Sequence, residues 1–114
     1  MSNYLVRGQS LEPNAPLVSF SGQFQVMLQD DGNFVLYQNE SNGQKALWAS
    51  NTVGKGGVVV NFQEDGNLVL YTAGDVAVWA SGTEGKGSMI LVMQDDGNLV
   101  IYPTAVWGSN TAGQ

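Results

Sequence analysis

The sequence predicts an all-β domain in which three equivalent antiparallel sheets pack face to face around a common axis. A nine-residue pattern occurs three times, at 29–37, 63–71 and 94–102, and a tryptophan-containing apolar segment follows each copy. Each copy carries Asp-Gly between alternating apolar segments, which is a strong β-hairpin signal. Because such small sheets cannot bury their apolar faces alone, a fixed internal period of this kind favours packing of the repeats around one shared core.

The composition limits the kinds of partner. The chain has 114 residues, which we assign to a single domain, 1–114, with three internal repeats. A formal charge of −6 with four basic residues argues against nucleic acid and anionic membrane surfaces. No apolar run is long enough for membrane insertion. The first eight residues lack the layout of a signal peptide, so either there is none or it has been removed.

The missing residue types exclude several kinds of chemistry. The chain contains no cysteine and no histidine. Disulfides, zinc fingers, cysteine nucleophiles and histidine-based triads are therefore excluded. We expect no cofactor and no metal.

The segment before the first repeat carries no helical period. Gly8, Pro13, Pro16 and Gly22 interrupt short apolar groups over the first 24 residues. This pattern predicts two short strands. One of them is expected to complete the sheet begun by the last repeat, so that the two ends of the chain close the ring.

The hairpin of each repeat has a definite predicted register. A type I turn over 30–32, closed by Gly32 in the left-handed region, places Leu28 opposite Phe34 and Gln29 opposite Asn33. Alternation then directs a wholly apolar set inward. The predicted core residues of the three copies are Val26, Leu28, Phe34 and Leu36; Val60, Phe62, Leu68 and Leu70; and Leu91, Met93, Leu99 and Ile101.

The outward face of each hairpin carries two amides, a carboxylate, a phenol and a valine. The amides donate and accept hydrogen bonds, the carboxylate accepts, and the phenol does either. This mixture suits the hydroxyls of a sugar, and the valine suits the C–H face of its ring. The candidate carbohydrate-binding residues are Gln29, Asp31, Asn33, Val35 and Tyr37; Gln63, Asp65, Asn67, Val69 and Tyr71; and Gln94, Asp96, Asn98, Val100 and Tyr102.

Two features have alternative interpretations. Six of the ten acidic residues lie in the three turns, where they either protect edges and solubility or provide one sugar acceptor per turn. The third strands, predicted at 46–52, 77–83 and 105–111, carry Trp48, Trp79 and Trp107. These rings could stack on sugars, but their apolar surroundings favour the filling of a shared centre.

The chain resembles the snowdrop-type (monocot bulb-type) mannose-binding lectin family in three features. These are the repeated Gln-x-Asp-x-Asn-x-Val-x-Tyr motif, the three Trp-x-Ser-x-Thr segments and the segment Gly8-Gln9-Ser10-Leu11. The resemblance covers nearly the full length and implies a β-prism II fold, with three four-stranded antiparallel sheets around a pseudo-threefold axis. It also implies one mannose site per sheet. Asp31 and Asn33 would hold the axial 2-hydroxyl, Gln29 the 3-hydroxyl and Tyr37 the 4-hydroxyl, with Val35 against the ring carbons, and the other two copies would repeat these roles.

The chain also departs from the family. Plant members usually carry an intrachain disulfide with one cysteine in a motif turn, where this chain has Gly32 or its equivalents. The chain therefore resembles cysteine-free members. Many members dimerise by exchanging the C-terminal strand, but the short, glycine-rich tail favours no exchange here, and a homodimer stays open. The implied partners are mannose and mannose-rich glycans or glycoproteins, bound through weak sites acting together.

Three other functions were considered. Adjacent acids such as Asp30 and Asp31 could suggest a glycosidase pair, but neighbours at a turn tip point apart and no apolar pocket is evident. Calcium binding through Asp-Asp-Gly-Asn lacks the spaced oxygens and closing glutamate of a calcium loop. A defence or protein-interaction module on the same scaffold, with little sugar binding, is the remaining alternative, although all fifteen motif residues are present.

Overall fold

A computed structural model describes residues 2–103. In this range the chain forms strands and turns only, so it offers no helix that could cross a membrane. The strands are β1 Tyr4–Val6, β2 Ser10–Leu11, β3 Leu17–Val18, β4 Phe24–Leu28, β5 Phe34–Glu40, β6 Gly43–Ala49, β7 Gly57–Phe62, β8 Leu68–Thr72, β9 Ala77–Ala80, β10 Ser88–Met93 and β11 Leu99–Pro103.

These strands form three antiparallel sheets, each built on the hairpin of one repeat. Their orders are β3-β4-β5-β6, β2-β7-β8-β9 and β1-β10-β11. The first two sheets have four strands, and the third has three within residues 2–103. The last predicted strand, 105–111 with Trp107, lies outside the described residues.

The hairpin register is the one that the turn chemistry predicts. Leu28 pairs with Phe34 and Gln25 with Tyr37. The Gly32 N–H donates to the Gln29 carbonyl at 2.9 Å, and the φ angle of Gly32 is 86°. The second and third hairpins repeat this geometry, and their turn glycines also have positive φ. The predicted type I turn closed by a left-handed glycine is therefore confirmed.

The N-terminal segment differs from the prediction, because it forms three short strands and not two. Leu5, Leu11 and Leu17 follow one another at intervals of six residues, and all three are buried. They pair with Leu91, Val60 and Val26. The segment thus adds one strand to each sheet. The apolar groups around Leu5 and Leu17 predict two of these strands, and both are present, the first completing the sheet of the last repeat as predicted; β2 around Leu11 was missed.

The first acidic position of each turn contacts this N-terminal segment. An Asp30 carboxylate oxygen accepts from the Asn14 side chain at 2.8 Å, and an Asp95 carboxylate oxygen accepts from the Ser21 N–H at 2.7 Å. In the second repeat, the backbone oxygen of Glu64 accepts from the Arg7 guanidinium. These contacts attach the segment to all three turns, and the carboxylates of Asp30 and Asp95 therefore serve the architecture.

The three sheets enclose one apolar core. The predicted inward residues of the first two repeats are all buried, as are Leu91 and Met93, while Leu99 and Ile101 pack against the core and are partly buried. The Phe34 ring lies 6.0 Å from both Trp48 and Trp79, and the two indoles are 5.5 Å apart. Trp79 is half-buried, but Trp48 is 40% exposed, so the predicted filling of the centre is incomplete in this range.

We expect Gly32→Ala to lower the free energy of unfolding by about 2–3 kcal/mol, because an L side chain is disfavoured at this φ and the site is crowded. An added Cβ would lie 3.3 Å from the Gly57 nitrogen and 3.4 Å from the Thr52 oxygen. Gly22→Ala is the matched control, since its φ is 79° and nothing lies within 4 Å of the added Cβ. Urea unfolding of both variants measures the difference, and equal losses would contradict the steric part of the argument.

Candidate functional site

In the first sheet, the predicted site residues lie together on the outward face of the hairpin. Gln29, Asn33, Val35 and Tyr37 alternate with core residues, and Asp31 occupies the turn. The Gln29 amide nitrogen donates to the Tyr37 hydroxyl, which joins the two ends of the set. The Asn33 backbone N–H donates to one Asp31 carboxylate oxygen at 2.9 Å. The four polar side chains and Val35 therefore form one outward-facing cluster with a single formal charge, in which Gln29 is bonded to Tyr37 and Asn33 to Asp31.

The Asn33 side chain is oriented by the segment that follows β6. Its amide oxygen accepts from the Thr52 N–H at 3.2 Å and from the Ser50 hydroxyl at 3.3 Å. No described residue accepts from its amide nitrogen, and none donates to the second carboxylate oxygen of Asp31. The cluster thus presents an unused donor and an unused charged acceptor on residues two apart in the chain.

Ser50 and Thr52 support the site, a role that was not predicted from the sequence. The strand expected over 46–52 ends at Ala49, and the chain then turns around Asn33 with Asn51 at φ 60°. The Ser50 hydroxyl accepts from the Phe34 N–H at 3.0 Å, and the buried Thr52 hydroxyl donates to the Gly32 oxygen at 2.6 Å. The repeated Trp-x-Ser-x-Thr spacing was the available signal, because a strand alone does not require hydroxyls at two fixed positions.

The second site repeats the geometry of the first. The Asn67 amide oxygen accepts from the Ser81 hydroxyl and the Gly82 N–H, each at 3.0 Å. The Asn67 N–H donates to an Asp65 carboxylate oxygen at 2.9 Å. The Gln63 amide again donates to a tyrosine, Tyr71, eight residues further on. The orientation of the asparagine is therefore reproduced by a different loop sequence.

The third site keeps the glutamine–tyrosine and aspartate–asparagine pairs. Gln94 donates to Tyr102, and the Asn98 N–H donates to an Asp96 carboxylate oxygen at 3.0 Å. The Asn98 amide nitrogen also approaches the other Asp96 oxygen at 3.4 Å. Ser109 and Thr111, the counterparts of Ser50 and Thr52, lie outside the described residues.

The valines are less exposed than their predicted place on the outward face implies. Val35 and Val69 are each only 3% exposed, although neither belongs to the central core cluster. Val100 is half-buried. Val35 lies between its strand partners Met27 and Ala49, so little of its surface is open at the base of the first cluster.

The neighbouring acids of each turn do not act as a pair. In the first turn, Asp30 accepts from Asn14, whereas Asp31 accepts from the Asn33 backbone. Across residues 2–103, no group of three or more acidic side chains comes together as a candidate metal site. What the clusters offer is a set of hydrogen-bond donors and acceptors suited to neutral hydroxyls.

The comparisons with known proteins agree with this geometry. No family model matches the chain. The chain is 36% identical to the mannose-specific agglutinin of snowdrop (Galanthus nivalis) bulbs, solved with methyl-α-D-mannoside, with a TM-score of 0.82 over 97% of this chain and 100% of that one. It is 38% identical to the Polygonatum cyrtonema lectin solved with monomannoside, with a TM-score of 0.79 over 96% of this chain and 99% of that one.

A sequence relative gives a shorter match. The B-type lectin plumieribetin of Scorpaena plumieri is 42% identical over 69 residues, which are 60% of this chain. The match spans 57% of the length of that relative.

A β-prism II fold with one such polar cluster on each sheet defines a lectin of the bulb type. The chain belongs to the snowdrop-type mannose-binding lectin family and is a member without cysteine. Its sheets match the predicted all-β architecture around a pseudo-threefold axis.

Proposed function

We propose that this protein binds α-D-mannose and high-mannose glycans through three weak, equivalent sites on a single domain spanning 1–114. One observation carries the proposal. At the first and second sites an aspartate and an asparagine are held side by side, with one carboxylate oxygen and one amide NH₂ left unused. A hydroxyl that donates to the oxygen and accepts from the nitrogen satisfies both groups at once.

In this proposal the hydroxyl is the axial 2-hydroxyl of mannose. The bond to Asp31 is charge-assisted and contributes about 1.5–3 kcal/mol where it is shielded from water. A sugar with its 2-hydroxyl turned the other way leaves both Asp31 and Asn33 unpaired, which is how a shallow site discriminates epimers.

The remaining side chains orient the ring. Gln29 still has its amide oxygen available for the 3-hydroxyl, because its nitrogen is engaged with Tyr37. The Tyr37 hydroxyl accepts that bond and retains its proton for the 4-hydroxyl, and Val35 underlies the ring carbons. The same roles are proposed for Gln63, Asp65, Asn67, Val69 and Tyr71, and for Gln94, Asp96, Asn98, Val100 and Tyr102.

The site binds sugar and performs no chemical step in this proposal. Its one carboxylate has no second carboxylate partner on the opposite side of a sugar, as glycosidases require. The relatives are lectins. The proposed partners are mannose-rich glycoproteins, whose closely spaced sugars several sites can engage together, and the charge of −6 disfavours nucleic acid.

We expect methyl α-D-mannoside to bind with a dissociation constant on the order of 1 mM, since a single shallow site buries little area. Methyl α-D-glucoside, the 2-epimer, should bind at least about tenfold more weakly because it leaves two polar groups unpaired. NMR titration with and without a chelator measures both constants.

The control is the triple variant Asp31→Asn, Asp65→Asn and Asp96→Asn. Asparagine keeps the oxygen that accepts the turn N–H and replaces the second carboxylate oxygen with an NH₂ group, so the turn is retained and mannoside binding should be lost. Equal binding of the two epimers would overturn the proposed site. Loss of binding on chelation would instead support a calcium site.

A further inference from the structure

A large aromatic side chain lies exposed beside the third site and has no role in the proposed contacts. Phe20, between β3 and β4, is 91% exposed. It lines an open cavity of about 530 Å³ together with Gln94, Asp96 and Tyr102. This volume lies within the range of small-ligand sites in proteins. An exposed aromatic ring in the same cavity as the third cluster offers an apolar surface next to the mannose residue proposed to bind there.

The backbone that carries Phe20 is anchored to the third repeat. The Ser21 N–H donates to an Asp95 carboxylate oxygen at 2.7 Å. The Phe24 ring packs closely on the third turn, because a Cβ built on Gly97 would lie only 2.9 Å from it.

The backbone around Phe20 is also hydrogen-bonded within its own loop and to the first sheet. The Ser19 N–H donates to the Phe24 carbonyl at 2.8 Å, and the Gly22 N–H donates to the Ser19 carbonyl at 2.9 Å. The Asn39 amide donates to the Gly22 carbonyl at 2.9 Å. A loop held on both sides loses little conformational entropy when a ligand binds.

The other two sites have no aromatic residue at the corresponding place. The cavity beside the second site is lined by the polar residues Ser10 and Asn61, and Phe62, which also lines it, is only 1% exposed and belongs to the core. Following the six-residue spacing of the N-terminal strands, Phe20 corresponds to Asn14 at the first site and to Gly8 at the second. The three sites therefore share their primary residues and differ in what surrounds them.

We propose that Phe20 extends the third site into a subsite for a second mannose residue, linked to the one held by Gln94, Asp96, Asn98 and Tyr102. This inference rests on the proposed function. One face of a pyranose ring presents C–H groups, and packing that face on the exposed ring removes apolar surface of both partners from water. The third site then prefers α-linked disaccharides to the monosaccharide, and the other two sites do not share that preference.

The test uses the full chain with only the third site active, Asp31→Asn with Asp65→Asn. Methyl α-D-mannoside and the α-1,2-, α-1,3- and α-1,6-linked mannobioses are titrated against it by NMR. We expect Phe20→Ala to weaken at least one mannobiose about fivefold, the scale for about 40 Å² of apolar surface left in water. Binding of the monosaccharide should stay unchanged, and Phe20→Tyr should retain the preference.

A matched control carries Phe20→Ala in a chain with only the second site active, Asp31→Asn with Asp96→Asn, where no change is expected. If the monosaccharide binds but Phe20→Ala weakens no mannobiose relative to it, the subsite is overturned and the proposed function stands. If the monosaccharide fails to bind the third-site chain, the proposed function fails at that site. Equal weakening of mannobioses at the second site would also overturn the assignment of Phe20 to the third.

Discussion

A chain with Asp31→Asn and Asp65→Asn is expected to lose about 100-fold in apparent affinity for a surface dense in high-mannose glycans. We expect each site alone to be weak, because a shallow cluster buries little area and its hydrogen bonds replace bonds to water. When a second and a third site engage the same surface, their binding is intramolecular and the combined affinity exceeds that of one site by roughly 10²–10⁴. Disabling two of three sites removes that gain.

Surface plasmon resonance on an immobilised mannose-rich glycoprotein measures this loss. Methyl α-D-mannoside titrated in solution should still bind the remaining site with an unchanged constant. The matched control is Asp30→Asn with Glu64→Gln, which makes the same change in net charge at the neighbouring positions of the same two turns. That control should keep its apparent affinity, because Asp30 contacts Asn14 and not the cluster. Full affinity in the variant with two sites disabled would show that multivalency is not the mechanism.

Phe34→Ala should lower the free energy of unfolding by about 3–5 kcal/mol, the usual cost of emptying a buried phenylalanine site. The Phe34 side chain is 0% exposed and contacts the rings of Trp48 and Trp79, which come from two different repeats. Its removal leaves a cavity where two sheets meet, and the neighbouring strands cannot close it without breaking their register.

Urea unfolding followed by tryptophan fluorescence measures this effect. Phe20→Ala is the control, since it removes the same atoms from a side chain that is 91% exposed. It should change the free energy of unfolding by less than about 0.5 kcal/mol. A loss below about 1 kcal/mol in Phe34→Ala would mean that the contact between repeats contributes far less than burial implies.

The hairpins could be predicted from the sequence because their information is local. The alternation of apolar residues determines which face is buried, and the Asp-Gly turn determines the register. Once Leu28 is opposite Phe34, the outward cluster around Asp31 and Asn33 follows without further information. This is why the predicted members of each cluster lie together in the structure.

The strand β2 could not be predicted in the same way. β2 has only two residues, and it pairs with Val60 and Asn61, about fifty positions further along the chain. No alternation develops over two residues, so the pairing depends on where the second sheet already lies. The six-residue spacing of Leu5, Leu11 and Leu17 was present in the sequence, but it does not fit the helix period, and the glycine and prolines between the leucines rule out one continuous strand.

The Ser-x-Thr segments show a different limit of prediction. The small and β-branched residues after Trp48 are compatible with a longer strand, and the strand was therefore predicted to extend to Thr52. In the structure the hydroxyls of Ser50 and Thr52 bond to Asn33 and Gly32, and these bonds take the place of a strand ladder. Competition between side-chain and ladder hydrogen bonds depends on a partner that is distant in sequence.

The path of residues 4–18 across all three sheets has a consequence for cooperativity. In a linear repeat protein each unit contacts only its neighbours, so that stretches of the array can open separately. Here the fifteen residues 4–18 contribute one strand to each of the three sheets. Disruption of one hairpin therefore removes a pairing partner from a segment that also pairs with the other two hairpins. The repeats are therefore coupled into one all-or-none transition. Under the proposed function, the folded chain therefore presents all three clusters together and the unfolded chain presents none.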